Sequence, residues 1–560
     1  MPSPITRHFI TLGDRQIHYR VAGKGAPVVL LHQTPTSSRE CEPLMRRLAA
    51  GHRVFAPDMP GYGASDPLPE RPFTIETLAD NVATFMDAVG IEVAGMYGFH
   101  TGASVATAFA RRHPTRVSVA VAVGLLCLTP EERSEWLQQY APPFVPHWDG
   151  GHLAWLWSRL KDQSVFFPWF KRTAAARVAM DALGPAAVQA SVPDWLRSAQ
   201  RYGDAYEAAF RYRPEADLPS IRTPHVVVDF ATDPLFAHLE RLPAPPANVD
   251  IIRCATLRDA QAIACEALQR HPGSPADSPV PPARAHGGVW QDYVSVAGMQ
   301  LRVLRAGTSD ARPVMLQHRA QSSANALAGL IGALGRQGVA FAVEFPGHGE
   351  SDAAPDPEVY RIESLATVLA GALEALGVTE LDLIGVEAGA AAQAALAARG
   401  GARVRHCSLV SAIDASIYPE LQQGLIANYP PPPVPDMQGG HLMRAWHEAR
   451  DHLLFFPWYD RRRACATPPT LSLDPALLQR SVTDSILAGA AGVAIRQAEI
   501  RHPLRAQLSR LSTLGIDVSL AAPLCDPRFG ITQRLADAAG CGFVELPCDT
   551  AAWGRVIRGG

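Results

Sequence analysis

The chain has 560 residues, about twice what one hydrophobic core usually supports, so its length predicts two domains. Hydrophobic residues make up 47% of the chain and charged residues 19%, a composition typical of a globular protein and not of a disordered one. The net charge of −3 excludes a broad basic surface for nucleic acid or for an anionic membrane. We therefore expect a small molecule as the partner.

The sequence also indicates a compartment. Its N-terminal residues lack a basic segment followed by an apolar stretch, so they predict no secretory signal. No apolar run approaches the roughly 20 residues that span a bilayer. The nine cysteines show no CxxC pair, which is typical of reduced thiols in a cytosol. We expect a cytoplasmic protein, and the scarcity of lysine favours a bacterial origin.

The chain contains an internal repeat. Residues 140–153 align with residues 429–442 without a gap, and both stretches include Gly-Gly-His-Leu. The same offset relates Phe-Phe-Pro-Trp at 166–169 to Phe-Phe-Pro-Trp at 455–458. Chance does not produce agreement over such a length, so the repeat predicts a duplicated domain with a period far too long for a solenoid.

A segment rich in proline, glycine and alanine, residues 272–288, is typical of an extended linker. It sets the predicted boundaries, an N-terminal domain of residues 1–271 and a C-terminal domain of residues 289–560. We also expect the two domains to pack against each other.

Short apolar runs alternate with helical patterns in both halves. The strand-like runs are 28–31, 53–56 and 93–97 in the first half, and 314–316, 341–343 and 381–384 in the second. Because parallel neighbours need a crossover connection, the alternation predicts the α/β fold class, with a mostly parallel, doubly wound sheet in each half.

Three motifs of the first half occur in a family-specific order and spacing. They are His32-Gln-Thr-Pro35, Asp58-Met-Pro-Gly-Tyr-Gly-Ala-Ser-Asp66 and Gly98-Phe-His-Thr-Gly102. Together they resemble the α/β-hydrolases that carry a helical lid. The resemblance covers residues 8–270 and, more loosely, 290–556, and it implies lids at about 130–215 and 415–503.

In that family, a Gly-x-nucleophile-x-Gly turn holds its middle residue in a strained conformation between a strand and a helix. The middle residue here is His100 in the first half and Glu387 in the second, so neither half has the usual serine. The family's acid corresponds to Asp233 and, in the repeat, to Asp526, whereas its late histidine is missing from both halves.

His100 is the predicted general base. A neutral imidazole at the carboxyl ends of the strands can take a proton from water or from a substrate. The resemblance implies that Asp233 orients the imidazole and that the backbone N–H groups of Gln33 and Thr101 form an oxyanion hole. The nearby helix N-terminus is expected to lower the pKa of His100. The alternative is an inactive turn whose imidazole fills space.

Glu387 permits two interpretations. A carboxylate at this turn could serve as a base or a nucleophile. Its apolar neighbours favour a degenerate or binding-only second domain, in which Arg319 neutralises the carboxylate in a structural role.

The repeated lid sequence predicts further substrate contacts. Its histidines, His152 and His441, keep equal places in two diverged copies, and we expect His152 to act in catalysis. The other predicted substrate-binding residues are His32, Asp58, Trp157, Asp162, Phe166 and Trp169. For the aromatic residues, the alternative is packing within the lid.

A metal site is a further alternative, with His32, His100, His152, Asp58 and Asp233 as the ligands that would have to converge. No local spacing of metal ligands supports it, and no phosphate loop or dinucleotide fingerprint is present. We therefore predict no metal and no cofactor.

These residues favour hydrolysis by base-activated water at an ester, amide, epoxide or similar bond of a small, largely apolar or aromatic molecule. Two alternatives stay open. One is a cofactor-free lyase, cyclase or isomerase that uses His100 for proton transfer. The other is a non-catalytic relative that binds a small ligand.

Overall fold

The computed structural model describes residues 3–275, 280–308, 311–467 and 473–557. Residue contacts divide the chain into two compact units. The first unit comprises Met1–Val145 and His152–Arg284, and the second comprises Pro146–Gly151 and Ala285–Gly560. Residues 276–279 of the predicted linker lie outside the described residues.

The first unit contains a sheet with the strand order β1-β2-β4-β3-β5-β6-β7-β8. Its strands are β1 (Thr6–Leu12), β2 (Arg15–Ala22), β3 (Ala26–Leu31), β4 (His52–Pro57), β5 (Ala94–Phe99), β6 (Val117–Val123), β7 (His225–Phe230) and β8 (Val249–Cys254). β2 runs antiparallel to β1 and to β4, and the other neighbouring pairs are parallel.

Helices connect these strands as crossover connections require. They are α1 (Glu42–Leu48), α2 (Ile75–Ala88), α3 (Thr101–Arg112), α4 (Pro130–Gln139), α5 (Gly151–Gln163), α6 (Pro185–Ser198), α7 (Asp204–Arg211), α8 (Pro214–Asp217) and α9 (Leu257–Arg270). Five of them, α4 to α8, lie between β6 and β7 in a stretch that we call the first insertion. The small residues of α3 are buried between α2 and the strands β5 and β6, because their short side chains allow close packing.

The second unit contains a sheet with the equivalent order β9-β10-β12-β11-β13-β14-β15-β16. Its strands are β9 (Trp290–Val296), β10 (Met299–Ala306), β11 (Val314–Gln317), β12 (Ala340–Val343), β13 (Glu380–Val386), β14 (Arg403–Val410), β15 (Asp517–Pro523) and β16 (Gly542–Leu546). β10 is the strand that runs antiparallel to its neighbours.

The helices of the second unit follow the same plan. They are α10 (Ala328–Gly335), α11 (Ile362–Ala375), α12 (Ala388–Arg399), α13 (Pro419–Asn428), α14 (Gly440–Leu454), α15 (Pro475–Arg501), α16 (Leu504–Thr513), α17 (Phe529–Ala539) and α18 (Trp553–Ile557). α13 to α16 form the second insertion, between β14 and β15.

Alternating residues of the central strands bury both faces of each sheet. In the second unit, Val314 and Leu316 pack in one core with α10, whereas Met315 between them packs in another core with α11 and α12. In the first unit, Val28 and Leu30 share a core with α1 and α9. The predicted fold class is therefore confirmed in both halves.

The structure differs from the sequence expectation at two cysteines. Cys525 and Cys548 form a disulfide, with their Cα atoms 5.8 Å apart, although we expected reduced thiols throughout. The pairing joins the loop after β15 to the segment after β16, which lie far apart in sequence but side by side in the sheet. Within the described part of the chain, no helix combines the length and apolarity needed to cross a bilayer.

Candidate functional site

The turn between β5 and α3 holds His100 at its apex. His100 has φ 49° and ψ −108°, a conformation that is rare outside glycine. The flanking glycines are required by close approach, because a Cβ on Gly98 would lie 2.0 Å from the carbonyl oxygen of Gly102. In the second unit, Glu387 occupies the same conformation, with φ 52° and ψ −116°, between β13 and α12.

His100 is hydrogen-bonded to the predicted acid. Its Nε2 lies 2.8 Å from Oδ2 of Asp233, whose other oxygen accepts the backbone N–H of Leu235 at 2.7 Å. The His100 side chain is 24% exposed and that of Asp233 only 2%, so the imidazole is open to solvent while its partner is buried. The ring stacks on Phe99 with centroids 4.1 Å apart.

Gly124 makes room for this pair. It follows β6 with φ 66°, and a Cβ built on it would lie 2.4 Å from Cδ2 of the His100 ring. Any other residue there would have to displace the imidazole from Asp233.

Gln33 and Glu40 position the second nitrogen of the imidazole, Nδ1. Nδ1 of His100 lies 3.1 Å from Oε1 of Gln33, whose side-chain NH₂ donates to Glu40. Because the Glu40 carboxylate accepts hydrogen bonds only, it orients the Gln33 amide with its oxygen toward His100. Both imidazole nitrogens therefore face acceptors, an arrangement that favours the doubly protonated, cationic ring.

The electrostatics of the site correct one expectation. Burial alone would lower the pKa of His100, but Asp233, with smaller contributions from Asp229 and Glu40, raises it above its ordinary value. The pKa is thus raised, not lowered as the helix N-terminus predicted, because a carboxylate in hydrogen-bond contact outweighs a partial backbone charge. His100 in turn lowers the pKa of Asp233 against the effect of burial. Burial, followed by the charge of Asp233, raises the pKa of Asp229 to about 7.

One of the two backbone N–H groups predicted for the oxyanion hole, that of Gln33, is wrong. The backbone N–H of Gln33 donates to Oε2 of Glu40 at 3.1 Å, so it is not available to a substrate. Thr101 is the first residue of α3 and is largely buried. Its N–H belongs to the helix N-terminus, where backbone donors lack intrahelical partners, and its role stays a prediction.

Two predicted substrate-binding residues have structural roles instead. Nδ1 of His32 donates to the Gln33 carbonyl at 2.8 Å and its Nε2 accepts the Met59 N–H at 2.8 Å, so both nitrogens are used. Asp58 is buried, and its carboxylate accepts backbone N–H groups of two loops besides contacting His18 at 2.8 Å. Both residues brace the loops after β3 and β4 and are corrected as substrate contacts.

The repeated sequence of the insertions also has structural roles. Asp162 pairs with Arg172 at 2.9 Å, and in the repeat Asp451 pairs with Arg461 at 2.7 Å. The two copies thus form equivalent ion pairs, and the role of Asp162 as a substrate contact stays a prediction.

The two predicted lid histidines are buried. His152 packs in the first insertion with its ring 5.5 Å from that of Phe144. In the second, His441 accepts the Asp436 N–H at Nδ1, and the Asp436 carboxylate accepts the His441 N–H at 2.9 Å. His441 therefore helps to begin α14, and the catalytic role of His152 stays a prediction.

The predicted aromatic residues form the interior of the first insertion. Trp157 is 1% exposed, and the Trp169 ring lies 4.4 Å from the guanidinium of Arg159, which is itself 1% exposed. The Trp195 ring covers the same guanidinium at 5.2 Å, so aromatic faces replace a carboxylate partner for this cation. Phe166 is half-buried in a bridge to Arg177. Packing therefore accounts for Trp157 and Trp169, which are corrected as substrate contacts.

Glu387 in the second unit is surrounded by arginines. Its Oε2 lies 2.7 Å from Arg496 and its Oε1 lies 2.7 Å from Arg528, whereas the predicted partner, Arg319, is farther away at 3.8 Å. Burial alone would raise the pKa of Glu387, but the three arginines hold it far below its ordinary value. The arginines thus stabilise the charged carboxylate, and both of its oxygens are occupied.

The residue equivalent to Gly124 also differs in the second unit. Ser411 follows β14 with φ 53° and donates its hydroxyl to Asp526, the counterpart of Asp233. The hydroxyl therefore takes the contact that an imidazole takes in the first unit.

No three His, Cys, Asp or Glu side chains gather closely enough to hold a metal ion within the described ranges. His32 and Asp58, two of the candidate ligands, are already held by backbone contacts to the loops that they brace.

Sequence reasoning missed several residues of the two sites: Glu40, Asp229, Arg496, Glu499 and Arg528. Asp229 gave a signal, since an aspartate within the apolar run of β7 is unusual. The arginines gave none, because they reach Glu387 from elements more than 100 residues away.

Parts of the chain are similar to known proteins. A family model for the alpha/beta hydrolase fold matches residues 26–150 and 326–432. The soluble epoxide hydrolase of Corynebacterium sp. is 36% identical over 110 residues, 20% of this chain and 38% of that protein. The 2-hydroxy-6-oxononadienedioate/2-hydroxy-6-oxononatrienedioate hydrolase 2 of Pseudomonas putida is 38% identical over 119 residues, 20% of this chain and 41% of that protein.

The chain thus spans about two fifths of the length of these curated relatives. Among solved structures, a hydrolase from Pseudomonas aeruginosa PA01 is similar with 20% identity and a TM-score of 0.36, over 47% of this chain and 97% of that one.

The Gly124→Ala substitution is expected to separate His100 from Asp233. The new methyl group would meet the imidazole at 2.4 Å, so the ring must move and its pKa must fall. A positive φ and a forced displacement together predict a loss of about 1–3 kcal/mol in the free energy of unfolding. NMR titration of the His100 ring, assigned with the His100→Gln variant, measures the pKa.

Gly13→Ala is the matched control. Gly13 has nearly the same φ of 65°, but a methyl group added there would meet no atom within 4 Å, so the His100 pKa should not change. An unchanged pKa in Gly124→Ala would contradict the expected separation of His100 from Asp233.

Proposed function

With the α/β-hydrolase fold present twice in the chain, we propose that the first unit is a hydrolase that acts on a small, apolar or aromatic molecule through His100. The observation that carries this proposal is the pair of His100 and Asp233, with Nε2 and Oδ2 2.8 Å apart. A titratable group stands at the apex of the turn with part of its ring open to solvent and its orienting acid buried.

In this proposal the two imidazole nitrogens have different tasks. Nε2 stays bonded to Asp233, which fixes the ring and stabilises its cationic form. Nδ1 is then the atom that exchanges protons, and in the resting state its proton is shared with Oε1 of Gln33. Loss of this proton leaves two lone pairs facing each other, so the Gln33 side chain has to yield the position to water.

The proposed reaction follows from that arrangement. Neutral Nδ1 takes a proton from water while the water oxygen forms a bond to the electrophilic carbon of the substrate. The same proton then passes from Nδ1 to the leaving atom as its bond to carbon breaks, which restores the neutral imidazole. The N–H of Thr101, at the N-terminus of α3, is the remaining backbone donor for the negative charge on the substrate oxygen.

The named relatives support hydrolysis over the other reactions of this chemistry. Both curated relatives are hydrolases by name, and one of them is an epoxide hydrolase. A lyase, cyclase or isomerase would use the same base but would not consume water. Incorporation of oxygen from ¹⁸O-labelled water into the product distinguishes hydrolysis from these alternatives.

The His100→Ala substitution is expected to lower turnover by about 10²–10⁴-fold, the usual contribution of a positioned acid–base group. Hydrolysis of p-nitrophenyl butyrate tests the ester class, and hydrolysis of styrene oxide tests the epoxide class. Circular dichroism checks that the variant folds.

His113→Ala is a suitable control, because His113 is 26% exposed and also contacts an aspartate, Asp80 at 2.8 Å, but lies at the far end of α3. It should keep full activity. Full activity of His100→Ala removes His100 from the mechanism and contradicts the proposal. No turnover of either probe by the unaltered chain also contradicts it and favours the alternative of a unit that only binds a ligand.

The rate is expected to depend on the charge of His100. The base acts in its neutral form and its pKa is raised, so kcat/KM should fall as the pH drops through a value above 6.5. Since Glu40 contributes to that raised pKa, Glu40→Gln should move this acidic limb to lower pH. A pH–rate profile between pH 5 and 9 measures the shift.

The neighbouring Glu42→Gln is the control, because Glu42 contacts Arg20 and Arg46 and is not among the main causes of the raised pKa of His100. It should leave the limb in place. An acidic limb that is the same in Glu40→Gln and in the unaltered chain would assign the titration to another group, with Asp229 the next candidate.

A further inference from the structure

A cavity of about 250 Å³ lies in the second unit at the apex residue Glu387. One side of it is apolar and largely aromatic. The residues of this side are Leu425, Leu453, Phe456, Trp458, Ile500 and Trp553. A second opening of about 210 Å³ also borders Arg319, Glu387 and Trp553. The space suits a small molecule with an apolar body.

The other side of the cavity is rich in cations. Arg319, Arg496 and Arg528 line it, facing the carboxyl groups of Glu387 and Asp526 among others. Asp526 is engaged by the Ser411 hydroxyl and by the backbone N–H of Arg528 at 2.7 Å. Glu387 is shared by two of the arginines, so the three guanidinium groups are not fully matched by these two carboxylates.

Two further titratable groups, Glu499 and His452, line the cavity. Glu499 contacts Arg496 at 2.8 Å, and burial raises its pKa. Burial, reinforced by Arg496 and Arg528, lowers the pKa of His452, so this ring is neutral. Arg496 is therefore already paired with two carboxyl groups, those of Glu387 and Glu499.

The arginines also retain unused donors. Nε of Arg496 and Nε of Arg528 are buried without a hydrogen-bond partner among the described residues. The guanidinium of Arg319 is 37% exposed, 3.8 Å from Glu387 and 3.5 Å from the hydroxyl of Ser481, both long contacts. Of the three arginines, Arg319 is therefore the one whose guanidinium is exposed and has only long contacts.

We propose that this cavity binds a small carboxylate with an apolar or aromatic body. Its carboxylate accepts hydrogen bonds from Arg319 and from Arg528, and its body lies against Phe456 and Trp458. Arginine favours such a ligand because its planar donors match the two oxygens of a carboxylate. Turnover is not part of the proposal, because Glu387 is held by its arginines and is not free to act as a base or a nucleophile.

Binding of phenylacetate to the full chain, compared with its uncharged amide phenylacetamide, tests this site. Isothermal titration gives the affinity and stoichiometry, and tryptophan fluorescence reports on Trp458 and Trp553, which line the cavity. We expect phenylacetate to bind at least tenfold more tightly than phenylacetamide at one site per chain. Arg319→Gln should lose at least tenfold in affinity for phenylacetate and little for the amide.

Arg312→Gln is the matched control, because Arg312 is a 45%-exposed arginine of the same unit that pairs with Asp382 outside the cavity. It should bind phenylacetate as the unaltered chain does. His100→Ala should do the same, which separates this site from the proposed catalytic one. Equal affinity for acid and amide, or undiminished affinity in Arg319→Gln, overturns the proposal whatever the activity of the first unit.

Discussion

The central constraint in each unit is the strand-to-helix turn that brings a glycine backbone against its own helix. A Cβ on Gly98 would lie 2.0 Å from a backbone oxygen, and a Cβ on Gly385 would lie 2.5 Å from one. The turn therefore requires glycine at these two positions. The apex residue is forced to positive φ, and its side chain leaves the helix. Any polar group placed there must then find partners among the loops at the carboxyl ends of the strands.

The two units meet this requirement with opposite charges. In the first, the imidazole of His100 binds the carboxylate of Asp233 and carries a raised pKa. In the second, the carboxylate of Glu387 binds arginines and carries a lowered one. The residue after the next strand differs as well. Gly124 leaves room for the imidazole in the first unit, whereas Ser411 donates its hydroxyl to Asp526 in the second. The backbone is the same, and the chemistry follows from these few side chains.

Much of this could be predicted from local patterns. Apolar runs and turn glycines predicted both sheets, and the resemblance placed His100 with Asp233 and Glu387 near Arg319. The predictions that failed concern contacts that the spacing of residues in the sequence does not encode. The Gln33 N–H was expected to serve the oxyanion hole, but it donates to Glu40. The arginines that bind Glu387 come from α15 and from the loop after β15. The pKa of His100 was predicted in the wrong direction for the same reason, since a carboxylate brought in by the fold outweighs the local helix terminus.

The two copies are alike in some contacts and different in others. The ion pair of Asp162 with Arg172 has an equivalent in the pair of Asp451 with Arg461. At the apex the copies diverge, and their pKa shifts have different causes. Three arginines hold the pKa of Glu387 far below its ordinary value, whereas Asp233 raises the pKa of His100. The same turn therefore carries an acid whose charged form is stabilised by cations in one unit and a base whose charged form is stabilised by a carboxylate in the other.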